Sequence, residues 1–323
     1  MRLQPFVHRR SLDNSFDFTG HLFSRLAGGE ETGGQLTIYE ITLVSGHEPP
    51  RHTHANEDEA FYVLEGEVEY FVGAESAVAG PGDFIFLPQA VTHGFRTLTP
   101  QARLLLFIAP GASAEAFEVL GKPVHSLDLP VPAGEPDIES FVRVFNEHGI
   151  TFPQESAPEP VENERLVRRP RVGESTWYMG HLMTHLVDGE DSRGRFSLVQ
   201  TEASPGQEPP RHIHENEDEI FYLLEGEATF FAGDLVHRAT AGDLVFLPRG
   251  LAHAFRIETE RAKALILVTP AGFENYFRAF STPAPALTLP PPPDKPYDMN
   301  VILDISRQFG ITFVPPAEEA QAA

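Results

Sequence analysis

The chain has 323 residues, 41% of them hydrophobic, which suits about two domains that each bury a core. Its net charge of −23 argues against nucleic acid and anionic membranes as partners, because both need a basic surface. It has no cysteine, so disulfides, thiolate nucleophiles, iron–sulfur clusters and thiolate zinc sites are excluded.

The first residues lack the apolar stretch of a signal peptide, and there is no run of about 18 apolar residues, so a cytoplasmic protein that spans no membrane is expected. The chain also repeats itself. HTHANEDEAFYVLEGE at 52–67 returns as HIHENEDEIFYLLEGE at 212–227, an offset of 160 residues. The same offset carries Gly20-His21-Leu22 onto Gly180-His181-Leu182, Gly82-Asp83 onto Gly242-Asp243 and His93 onto His253. This predicts one domain over 1–152 and another over 165–313, with a Pro- and Glu-rich linker at 153–164 and a flexible tail at 314–323.

In chain order, short β-prone runs occupy 35–46, 61–73, 83–88, 93–98 and 103–110, separated by Gly, Pro, Asn and Asp. Helical spacing of apolar residues follows at 113–121 and 137–148, with an extended Pro-rich connector at 129–136 between them. The second half repeats the order, with helices at 273–280 and 298–309 and a connector at 289–296. The fold class predicted is all-β with a few flanking helices, as two antiparallel barrels in tandem.

Four residues per half carry the chemistry: His52, His54, Glu59 and His93, then His212, His214, Glu219 and His253. Side chains at i and i+2 of a strand share a face, so His52 and His54 point the same way. Glu59 has the wrong parity for one straight strand, so Ala55-Asn56-Glu57 must turn the chain before Glu59 can point inward beside Phe61 and Val63. Three imidazoles and a carboxylate suit one divalent transition metal per domain: Fe, Mn, Co, Ni, Cu or Zn. A six-coordinate metal would keep two positions open for chemistry, whereas a structural zinc would fill its shell. Six of the chain's 14 histidines fall in the two sets. His8, His47, His125, His148, His185 and His237 read as surface residues, and His21 and His181 as a repeated packing pair. Asp58 and Asp218 read as lying outside the barrel, or as groups that orient a histidine.

These residues resemble the cupin superfamily, whose double-stranded β-helix (jelly-roll) barrel the resemblance implies for each half. Gly46, His52, His54, Glu59 and Gly66 fit the family's first motif, as do Gly206, His212, His214, Glu219 and Gly226. The second motif is met by Gly82, Pro88 and His93, with Ala90 in place of its glycine and Thr97 in place of its asparagine. It is met again by Gly242, Pro248, Gly250 and His253, with Ile257 in place of the asparagine. Among bicupins the layout, with PAGFENYF at 270–277, looks most like the flavonol (quercetin) 2,3-dioxygenases. That resemblance implies a small-molecule substrate and O2 as partners, with the metal on the substrate's enolate oxygen. It also implies Glu59 and Glu219 as the bases that take the 3-hydroxyl proton, before O2 cleaves the heterocycle with release of carbon monoxide. A homodimer is a further expectation.

Side chains in phase with the ligands would line an apolar pocket: Phe61, Val63 and Phe95, then Phe221, Leu223, Phe255 and Ile257. Arg51, Arg96, Arg211 and Arg256 are out of phase and should face outward, which leaves a small dianion such as oxalate without an inward cation; Arg103 cannot be phased. The alternatives are another bicupin reaction, such as oxalate decarboxylation or isomerisation, or a cupin that only binds metal or a small ligand.

Overall fold

A computed structural model describes residues 3–131, 137–153, 166–292, 295 and 297–315. The expected linker beyond residue 153, the expected tail beyond residue 315 and parts of both Pro-rich connectors lie outside them. The chain divides into two compact units, Arg10–Arg169 and Met1–Arg9 with Pro170–Ala323.

In the first unit, eight strands form one sheet in the order Lys122–Pro123, Ser15–Phe18, His21–Ala27, Thr37–Val44, Gln101–Ala109, Asp58–Glu65, Phe84–Leu87, Val167–Arg168. A second sheet runs His93–Thr97, Val68–Val72, Glu75–Ala79. Thr53–His54 pairs with Ile150–Thr151, and reciprocal 2.9 Å bonds between the backbones of His52 and His93 tie that pair to the second sheet. Period-two alternation builds the core: Tyr39, Ile41, Phe61, Leu104 and Leu106 of the large sheet pack in one buried cluster with Val68, Tyr70 and Val72 of the small one. Each such side chain contributes about 1.5–3 kcal/mol by leaving water.

The second unit repeats this. Its eight-stranded sheet contains His181–Val187, Ser197–Ala203, Asp218–Glu225, Leu244–Leu247 and Ala262–Thr269, and a five-stranded sheet contains His212–His214 and His253–Ile257. The strands over 15–18, 21–27 and 75–79, and their counterparts, were not among the sequence-predicted runs. Each large sheet also has an edge strand from the beginning of the other repeat. Phe6–His8 pairs with Leu244–Leu247, and Val167–Arg168 with Phe84–Leu87.

Helices Glu115–Leu120 and Ile138–Glu147 flank the first barrel, and Glu274–Ala279 and Met299–Gln308 the second. The two longer helices start alike: the Asp137 carboxylate accepts from Ser140 N at 3.1 Å and that of Asp298 from Asn300 N at 2.9 Å, satisfying donors that a helix start leaves open. Gly66 and Gly226 (φ +81° and +78°) close the turn after each glutamate strand. A Cβ there would meet the carbonyls of Gln101 and Arg261 at 2.6 and 2.4 Å.

Candidate metal centres

The chain bends at Ala55-Asn56, as the parity of Glu59 requires, and Glu59 enters on the strand beginning at Asp58. All four predicted residues of each set meet: one ligand atom from each of His52, His54, Glu59 and His93 lies within 4.8 Å of the others, as do those of His212, His214, Glu219 and His253. All eight are buried.

The ring nitrogens divide the work. Nδ1 of His52, His93, His212 and His253 lies 2.9–3.1 Å from the carbonyl oxygens of Pro50, Val91, Pro210 and Leu251. A carbonyl only accepts, so each Nδ1 carries the proton and each Nε2 keeps a lone pair. These lone pairs converge. Nε2 of His212 and His214 are 3.1 Å apart, and Nε2 of His93 and His253 are each 3.2 Å from the glutamate of their own set. The Nε2 of His54 is buried without a hydrogen-bond partner. Converging buried lone pairs beside a carboxylate are what a divalent cation satisfies. Each domain therefore has one three-histidine, one-glutamate metal site.

Burial holds the His52 pKa down at about 4 and those of His54 and His212 at about 3. Burial alone would raise Glu59 and Glu219. The neighbouring histidines outweigh it and bring both to about 2, so the glutamates are ionised at neutral pH. Both states are those that bind metal.

Residues beyond the two sets support them. The carboxylates of Glu57 and Glu217 lie 3.8 and 3.7 Å from Nδ1 of His54 and His214, where sequence reasoning placed no functional group. Their signal was the NEDE motif kept in both copies. Asp58 and Asp218 are buried, at 1% and 0% exposed, so whichever face they take is covered. Asp58 accepts from Gln89 N at 2.9 Å, and Asp218 from Arg249 N, Nε and Nη2 at 2.8, 3.1 and 2.8 Å. They pin the loop that leads to the third histidine. His185 is not a surface residue either. Both its ring nitrogens are buried without a hydrogen-bond partner, and burial, with Arg278 nearby, lowers its pKa to about 4.

Each site opens on a cavity. The second is about 420 Å³ and is bordered by His212, His214 and Glu219, with Phe221 and Phe255 on its wall. The first is about 40 Å³, with Phe61 and Phe95 on its wall. Val63, Leu223 and Ile257 are buried in the core and border neither. His21 and His181 border the first and second cavities. No lysine or arginine borders either among the described residues. Arg51 donates to Gly73 O at 2.8 Å, Arg211 to Pro315 O at 3.4 Å, Arg96 and Arg256 pair with Glu69 and Glu258, and Arg103 pairs with Glu40 and Glu65.

The sequence model of the cupin domain matches residues 39–109 and 200–269. Quercetin 2,3-dioxygenase of Bacillus subtilis (strain 168) is 26% identical over 294 residues, covering 86% of each chain. Oxalate decarboxylase of Bacillus subtilis is similar in structure, with a TM-score of 0.53 at 16% identity over 84% of this chain and 77% of that one. Procruciferin, an 11S globulin of Brassica napus, has a TM-score of 0.56 at 12% identity over 83% and 85%. At these identities the two structures share the fold. No helix among the described residues is long and apolar enough to cross a membrane.

Proposed function

The chain carries two metal-binding cupin domains in tandem, and from that premise we propose that it is a metal-dependent dioxygenase acting on a flavonol or a related enolisable aromatic. The observation that carries this reading is the cavity beside His212, His214 and Glu219. Its volume is in the range of small-molecule sites, its wall is largely apolar and carries eight Phe and Tyr rings, and no lysine or arginine borders it among the described residues. A planar polyphenol fits such walls by stacking and apolar burial. A small dianion would lose its hydration there with no positive side chain in return, which weighs against oxalate chemistry. The 26% identity to a quercetin 2,3-dioxygenase over most of the chain supports the same choice.

A divalent metal held by either set supplies Lewis acidity that favours ionisation of a bound hydroxyl. In this reading Glu219, buried and ionised, accepts the proton of that hydroxyl, the role Glu59 would have in any turnover at the first domain. The aromatic walls exclude water and hold the ring plane. In the overall reaction the heterocycle loses one carbon and one oxygen as carbon monoxide and takes up both atoms of O2.

The test is metal content by elemental analysis on protein purified without added metal, followed by an oxygen electrode with quercetin. About two redox-capable metals per chain with quercetin-dependent oxygen uptake is the expected result. Glu59→Ala and Glu219→Ala then report which centre turns over. Bound metal without oxygen uptake removes the flavonol reading and leaves the two metal sites standing.

A further inference from the structure

We infer that the two centres are not equivalent: the aromatic substrate enters only the second domain, and two positions on one helix of each domain decide this. The inference takes from the proposed function only the aromatic class of the substrate.

The helices Ile138–Glu147 and Met299–Gln308 occupy the same place in the repeat, each starting at an aspartate cap and ending before Gly-Ile-Thr-Phe. Counting from Asp137 and Asp298, Phe141 corresponds to Ile302 and Phe145 to Ser306. In the first domain Phe141 and Phe145 stack at 4.6 Å and border the cavity. Phe145 also meets Phe117 edge-on at 5.4 Å and lies 5.9 Å from Phe152. About 40 Å³ remains, too little for an aromatic ring system, though both belong to a barrel whose metal set is complete. A ligand of that size would have to drive two stacked rings out of a close-packed cluster.

In the second domain the smaller Ile302 and Ser306 stand at these positions, and about 420 Å³ is open beside Glu219. Ile302 and Tyr276 border that cavity, and Ser306 lies behind the Tyr276 ring rather than on the wall. Ser306 is buried, and its hydroxyl lies 3.0 Å from that of Tyr276, whose ring stacks with Phe273 at 5.1 Å. Residues 116 and 113 at the corresponding places of the first repeat are Ala and Ser, so that wall has neither ring. The Tyr276 ring borders the cavity and its hydroxyl is held by Ser306, so a phenolic hydroxyl on an otherwise apolar ligand has one polar anchor beside stacked rings. Cavity and polar anchor coincide only in the second domain.

Equilibrium dialysis of the metal-loaded full chain tests this, with quercetin and in parallel with 2-naphthol, a smaller hydroxylated aromatic that does not depend on flavonol chemistry. Metal content is measured on every sample. We expect one molecule bound per wild-type chain. I302F/S306F should weaken binding by about tenfold or more while two metals per chain remain. F141I/F145S should raise the stoichiometry towards two. Should I302F/S306F fail to fold, the wild-type stoichiometry and F141I/F145S decide. Two molecules per wild-type chain, binding of neither probe, unchanged binding in a folded I302F/S306F, or one molecule per chain in a folded F141I/F145S would each overturn the inference. Binding of 2-naphthol but not quercetin removes the flavonol reading and leaves the inference intact.

Discussion

Arg249→Gln tests how the second centre is held in place. Asp218 is fully buried beside the ligand Glu219 and receives three bonds from Arg249, one from its backbone and two from its guanidinium. In the first domain Gln89 stands at the same place. It keeps the backbone bond to Asp58, at 2.9 Å, and turns its amide to Ala55 O at 2.7 Å. The substitution therefore makes the second loop like the first in composition and removes only the forked ion pair. Breaking a buried pair from one side costs about 3–5 kcal/mol. Arg249 has a side chain 37% exposed, so water replaces part of what is lost, and about 2 kcal/mol is expected. For a unit of this size that lowers the melting midpoint by about 4–8 °C. The loop also sets the path to His253, so metal affinity at the second centre should fall about tenfold. Scanning calorimetry on metal-free and metal-loaded protein reads the first effect, and competition with a chelator of known affinity reads the second. A variant with stability within about 0.5 kcal/mol of wild type and unchanged metal affinity would refute the reasoning, since a buried carboxylate cannot lose its cation at no cost.

Ala90 holds φ +66° where the second domain has Gly250 at +73°, so Ala90→Gly should stabilise the first domain by about 1 kcal/mol, seen as a higher denaturation midpoint. His21 is neutral in the folded protein, with Val44 N donating to Nδ1 at 3.1 Å and Nε2 donating to His47 O at 3.0 Å, and burial lowers its pKa to about 4. Between about 6.5 and 4 the unfolded chain binds the extra proton, so this contribution is complete above pH 6.5 and is lost as pH falls towards 4. His21→Gln should flatten the stability–pH curve in that window, and an unchanged slope would remove the argument. Stripping metal with a chelator should lower the melting midpoint, and adding Mn(II) or Fe(II) back should restore it as mass action requires. An unchanged midpoint would mean the eight ligand side chains are held by packing alone.

The residues that bind metal were legible in the sequence because their signals are local. Strand parity puts His52 and His54 on one face, and the wrong parity of Glu59 forces the turn seen at Ala55-Asn56. The duplication showed the same pattern twice, and apolar spacing located all four helices to within a few residues. Ala90 stood out as a departure from a glycine position, and the backbone there is left-handed as that position demands. Parity says which face a side chain takes, however, and not whether that face is covered. His185 was misread for that reason, and the burial of Asp58 and Asp218 was not visible either, since it depends on residues distant in the chain. The edge strands Phe6–His8 and Val167–Arg168 could not be placed from sequence because pairing is chosen by tertiary contact and these runs are only three and two residues long. The cavities were beyond reach for the same cause. Whether 40 or 420 Å³ remains beside a metal set depends on how rings from several elements pack together, and only the folded chain sets Phe145 against Phe117 and Phe141 or Ser306 against Tyr276.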